Sequence, residues 1–180
     1  MAFPVFFDTC TVFGAVLNDL LLRIAEAGAF RPLWSAEVLE ELERNIAPKI
    51  GADKARRRVE HMREAFPDAE VLGYEALVDK MTCDPKDRHV LAAAVRADAA
   101  VLVTFNLKDF PRSALDPYDL EAVHPDEFLL DQLDLFPGLV LSALEDLAAA
   151  YEKPAHTVEQ LLSRLEVVAP QFGAEARSQL

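Results

Sequence analysis

The chain is poor in the residues on which several common chemistries depend. Its six glycines never gather into a phosphate-cradling loop, so a P-loop or a dinucleotide fingerprint is absent. Two cysteines, Cys10 and Cys83, are too few for a disulfide scaffold and fit a reducing compartment. Four histidines (His61, His89, His124 and His156) stand alone, without zinc-ligand spacing. Basic residues are scarce: 18 Lys and Arg against 31 Asp and Glu leave a net charge of −13. That disfavours extensive contact with a phosphate backbone, though not a nuclease that meets phosphate largely through metal ions. No apolar run approaches the roughly 18 residues of a membrane span, and no basic segment precedes the apolar N-terminus. The expectation is a cytoplasmic protein with no membrane segment.

What is present is enough apolar sequence for a folded core, 52% of 180 residues. The informative stretch runs from Thr82 to Pro111 (TCDPKDRHVLAAAVRADAAVLVTFNLKDFP). Asp84 precedes Pro85 as a helix N-cap precedes a first-turn proline, and Asp87 follows where a carboxylate suits the positive helix end. Helical spacing over Pro85 to Asp98 puts Val90, Leu91, Ala94 and Ala97 on one face. Asp87 falls at the N-terminal edge of that apolar face and Asp84 to its side. An inward carboxylate demands compensation. Ala99 to Thr104 is then a continuous apolar run, suited to a buried parallel strand. Thr104, Asn106 and Asp109 follow at its carboxyl end, where open α/β sheets place their sites.

The N-terminus repeats the pattern. Phe3 to Phe7 predicts a strand and Asp8 ends it; Val12, Val16, Leu20 and Ile24 predict one helix, stopped near Gly28. Asp8 is a helix cap, a metal ligand or a phosphoryl acceptor. Phosphatases of the haloacid-dehalogenase type follow such a strand with Asp-x-Asp, but Cys10 holds the second position here. A metal-dependent phosphatase using Asp8 is therefore the rival enzyme.

Phe30 to Trp34 predicts an extended segment and Ser35 a cap for a helix buried through Val38, Leu39, Leu42 and Ile46. On that helix Glu37 and Glu40 point away from the apolar face. Glu41 and Glu43 flank it, and spacing alone does not choose between them. Pro48 and Gly51 are expected to break the helix. The next one, Asp53 to Phe66, carries five basic residues against three acidic ones: a solvated face or an RNA contact. Ala69 to Leu72 and Leu120 to Val123 predict short strands, and Tyr74 to Lys80 a helix. Asp116 to Asp134 holds seven acids and no Lys or Arg. Helices are expected after Pro125, after Pro137 and from Thr157, where Gln160 completes a capping box.

Four pieces in order, FFDTC, SAEVLEELERN, CDPKDRHVLAAA and LVTFNLKDFP, resemble the PIN-domain nucleases, most closely the branch of VapC-like toxins. The resemblance covers residues 3 to 130. It implies an α/β fold with a central parallel sheet of about five strands and helices on both faces, as a PIN-like domain over residues 1–124. A C-terminal helical extension occupies 125–180. It implies metal ligation and catalysis by Asp8, Glu41, Asp87 and Asp109, choosing Glu41 over Glu43. Thr104, Asn106 and Asp84 are implied as positioners of ligands or phosphate. Asn106 stands where many relatives carry an acid, which leaves Asp109 as the charged member of its block.

An all-oxygen donor set without a Cys/His cluster selects a hard cation, Mg²⁺ or Mn²⁺. The implied activity is a metal-dependent endoribonuclease, the toxin of a toxin–antitoxin pair, with RNA as substrate, a protein antitoxin as partner and a homodimeric assembly. The alternative outside enzymes is a non-catalytic PIN module that binds RNA or protein.

Overall fold

The computed structural model of the chain describes residues 2–180. Strand β1 (Phe3–Phe7) has no polar face to offer water, and its last three residues are fully buried. Pro4 lacks an N–H but lies one residue in, and its carbonyl accepts the Ala100 N–H at 2.9 Å. Asp8 closes the strand and caps helix α1 (Thr9–Phe13). The single helix expected through Val12 and Ile24 is divided at Gly14, whose backbone is extended, and resumes as α2 (Ala15–Glu26). The apolar row survives the break, with Val12, Val16, Leu20 and Ile24 all buried.

Strand β2 (Phe30–Ser35) leads into α3 (Ala36–Ile50), whose first turn donates the Val38 N–H to the Ser35 hydroxyl at 3.2 Å. Pro48 does not break this helix; it rides in the last turn. The break comes at Gly51, which adopts φ 90°, a conformation that side chains beyond hydrogen resist. Helix α4 (Ala52–Ala65) folds back on α3, and β3 (Glu70–Val71) and the short α5 (Glu75–Val78) follow.

The helix expected from Pro85 begins instead as a 3-10 turn (Pro85–Asp87), with Asp84 accepting the Lys86 N–H at 3.1 Å. Only Arg88–Arg96 is α-helical (α6). Strand β4 keeps only Val101–Val103 of its apolar run, because the Ala99 N–H is spent on the Ala94 carbonyl in closing α6. A 3-10 turn (Leu107–Asp109), α7 (Arg112–Leu115) and β5 (Glu121–Val123) complete the α/β part.

The five strands are parallel in the order β3-β2-β1-β4-β5. From the central β1 the chain winds outward one way to β2 and β3, then the other way to β4 and β5. The crevice beyond the carboxyl ends of β1 and β4 is thus the topological switch point.

Four helices close the chain: α8 (Pro125–Leu135), α9 (Pro137–Ala150), α10 (Val158–Leu165) and α11 (Pro170–Gln179). The capping box of Thr157 and Gln160 forms as expected, whereas α11 has no counterpart among the expected helices. Its first turn is pinned by Asp126, a buried acid on α8 that accepts the Gln171 and Phe172 N–H groups at 3.1 and 2.8 Å. The extension shares one core with the sheet. Phe128 of α8 meets Phe7 and Phe30 edge-on, at ring separations of 6.0 and 5.1 Å.

Candidate active site

The switch-point crevice opens into a cavity of about 360 Å³. Asp8, Glu41, Asp87, Asn106 and Asp109 all line it, brought from four separate stretches of chain. Thr104 and Asp84, the other expected positioners, do not reach its surface.

Asp8 arrives on the end of β1 and is 7% exposed. One carboxylate oxygen accepts the Thr9 N–H at 2.7 Å, the other the Thr104 hydroxyl at 2.9 Å. Thr104 is fully buried at the end of β4, and its oxygen also accepts the Asn106 N–H at 3.1 Å. One hydroxyl therefore aligns the first acid and the loop that carries Asn106. Glu41 is fixed from the same quarter: the Thr9 hydroxyl donates to its Oε2 at 2.9 Å. Glu40 is exposed, and Glu43 is absent from the cavity wall.

The far end of α1 is clamped as well. Arg58 of α4 donates to the Phe13 carbonyl at 3.1 Å and to the Val12 carbonyl, satisfying groups that a helix end leaves open. Burial pulls this guanidinium below its ordinary value, against the opposing pull of Asp19.

Asp87 stands at the first turn of α6 but makes no capping bond. Its Oδ2 is buried without a hydrogen-bond partner among the described residues. Burial pushes its pKa up to about 6; Lys86 pulls the other way, and Asp109, Asp8 and Asp84 add to the rise. A half-buried carboxylate with one oxygen enclosed and unpartnered, beside other acids, is the feature an incoming cation would relieve. The oxygen-only donors suit a hard divalent ion. Among the described residues no group of three or more His, Cys, Asp or Glu side chains is drawn together tightly enough to enclose one. The acids ring an open cavity.

Cys10 lies in this wall, its thiol 3.4 Å from Asp8 Oδ2, and burial with the Asp8 charge pushes it up to about 11. Cys83 is buried and forms no part of the wall.

Several wall residues had not been singled out: Phe13, Asn45, Lys86, His89 and Val90. Asn45 lies four residues beyond Glu41 on α3 and Val90 three beyond Asp87, so helical spacing from those two acids would have found them. Glu37 does not point away as its helical phase suggested. It accepts the Tyr74 hydroxyl at 3.0 Å and approaches His89 Nδ1 at 3.5 Å.

Comparison with known proteins agrees with the PIN-like fold. A family described as "PIN domain" matches residues 4–108, and one described as "VapC50 C-terminal domain" matches residues 125–178. A protein of Mycobacterium tuberculosis (strain H37Rv) named "Putative ribonuclease VapC50" is 50% identical over 109 residues, which is 61% of this chain and 64% of that protein. The match thus spans less than two thirds of the relative. No solved structure matches the chain.

Proposed function

Since the chain belongs to the PIN-domain family, we propose that it is an Mg²⁺- or Mn²⁺-dependent endoribonuclease. The observation that carries the reading is Asp87, whose buried oxygen has no partner, facing Asp8, Glu41 and Asp109 across one cavity at the switch point. Those four carboxylates would hold the cation, directly or through water. When bound, the ion supplies a more acidic water and a neutralising charge for the scissile phosphate.

The protein's own groups do the rest. Thr9 and Thr104 keep Glu41 and Asp8 aimed inward without a proton to give up. Asn106 offers an uncharged amide at the wall, fit to donate to a phosphate oxygen, and Lys86 brings a cation to the same rim. The two oxygens of Asp8 are already committed to Thr9, Thr104 and Cys10, which suits a fixed ligand better than the nucleophile of a phosphatase.

On the basic helix α4, Arg56 and Arg63 are spent on Asp53, Glu60 and Glu70, and Arg58 is turned inward. Exposed Lys54 and Arg57 remain for an RNA backbone. The setting we infer is a toxin–antitoxin pair in the cytoplasm, with a protein antitoxin and a homodimeric toxin. The named relative and the match to the VapC50 C-terminal domain support it.

The direct test is cleavage of total RNA with Mn²⁺. Wild type is expected to cut and Asp8→Asn to be inactive; equal activity in both, in ribonuclease-free preparations, overturns the reading. Within α3, Glu41→Gln is expected to lower the cleavage rate roughly a hundredfold and the exposed Glu40→Gln to leave it unchanged. The reverse ranking would remove Glu41 from the site.

A further inference from the structure

A second cleft, of about 280 Å³, lies between α8 and the amino-terminal end of the sheet, away from the carboxylate pocket. Phe3, Val101 and Val123 of the sheet and Phe128 and Leu135 of α8 give it apolar walls. Gln132 of α8 also lines it. This side chain is 1% exposed, yet its Oε1 is buried with no hydrogen-bond partner among the described residues. A buried carbonyl oxygen without a donor is costly, and the complement it calls for is an N–H group entering the cleft. The remaining lining residues are acidic, Glu121, Glu127, Asp131 and Asp134, and no Lys or Arg stands among them. Such walls repel phosphate and welcome a cation on an apolar stem. Arginine fits best, because its planar fork carries enough N–H groups to serve Gln132 and the acids together.

The strand beside the cleft says how such a side chain would be delivered. β5 pairs with β4 alone and forms one edge of the sheet. Glu121 is shared with a larger cleft of about 750 Å³, lined by Leu120 and Ala122, which alternate with Glu121 and Val123 along the strand and so lie toward its other face. That cleft is acidic too, through Asp116 and Asp119, with Arg112 on its rim. An extended segment laid along β5 would send successive side chains alternately into the two clefts. We propose that the β5 edge, with the Gln132 cleft as its anchor, is a docking site for an extended, arginine-bearing segment of a partner protein. Nothing in this depends on the activity proposed above.

A fluorescein-labelled peptide of alternating arginine and valine, followed by anisotropy at moderate salt, tests it. Wild type is expected to bind. Gln132→Met, similar in length but without the amide, should bind about tenfold more weakly. Glu121→Lys, on the surface and harmless to the core, should bind more weakly still. Asp8→Asn should bind as wild type does, since the peptide is not in the other acidic pocket. Thermal melts show that the variants fold. Absence of binding to wild type, affinity unchanged in both Gln132→Met and Glu121→Lys, or loss in Asp8→Asn overturns the proposal. Spermidine or an RNA oligomer binding with the same Gln132 dependence would overturn it as well, by assigning the cleft to a free polyamine or to nucleic acid.

Discussion

Replacing Asp87 by asparagine is expected to abolish RNA cleavage and, without metal, to give a protein more stable than wild type. The two effects share one cause. The folded pKa of Asp87, about 6, lies above its ordinary value of 3.8, so between those values the folded state holds more proton than the unfolded state. Stability conferred below the lower value is lost as pH rises through the higher one. Above pH 6 the ionised group costs about 1–2 kcal/mol, allowing for solvent screening of a half-buried group. Asparagine removes that cost and, with it, the charge that would hold the cation. In EDTA, the melting temperature of Asp87→Asn should exceed that of wild type by roughly 2–8 °C at pH 7.5, with the gap closing toward pH 4. Mn²⁺ should raise the wild type and leave the variant nearly unmoved. A gap independent of pH would refute the assignment of Asp87, and equal metal stabilisation of both proteins would place the ion elsewhere.

The largest loss of stability should come from Phe128→Ala. Phe128 is 2% exposed and packs edge-on against rings from β1 and β2. Its removal opens a cavity under the centre of the sheet and should cost about 3–5 kcal/mol. For a chain of this size that is a fall in melting temperature of roughly 6–20 °C. Val167→Ala, at a position 82% exposed, is the matched control and should melt within a degree or two of wild type. If both variants melted alike, the extension would not be fastened to the sheet through Phe128.

Much of this arrangement is legible from local sequence because its parts are local. An acid directly after an apolar run, as at Asp8, or two acids around a proline before a helix, as at Asp84 and Asp87, need no tertiary information to be noticed. Helical phase separates Glu41 from Glu40 for the same reason. It does not separate Glu41 from Glu43, since that choice rests on the Thr9 hydroxyl, 32 residues away. Phase misplaces Glu37 because a long side chain on the first turn of α3 can swing sideways to Tyr74 and His89. His89 itself is invisible to spacing rules, being a single histidine whose neighbours come from another helix. Helix α11 offers few apolar residues to the core, and its start at Gln171 is held by an acid 45 residues earlier. Strand β4 is shorter than its apolar run because hydrogen bonds at the end of α6 compete for the same backbone.

The Thr104–Asp8 hydrogen bond joins residues 96 positions apart, and this sets an order of events during synthesis. While the first hundred residues are being made, Asp8 can emerge and β1 and β2 can pair, but the hydroxyl that orients Asp8 does not yet exist. Asp109 comes later still, and the Phe128 ring that covers β1 later again. A ribosome stalled anywhere before that point carries a chain with every early acid and no assembled pocket. Whatever this pocket does, a cell making the protein is exposed to it only after the chain has been translated past Phe128, more than two thirds of its length.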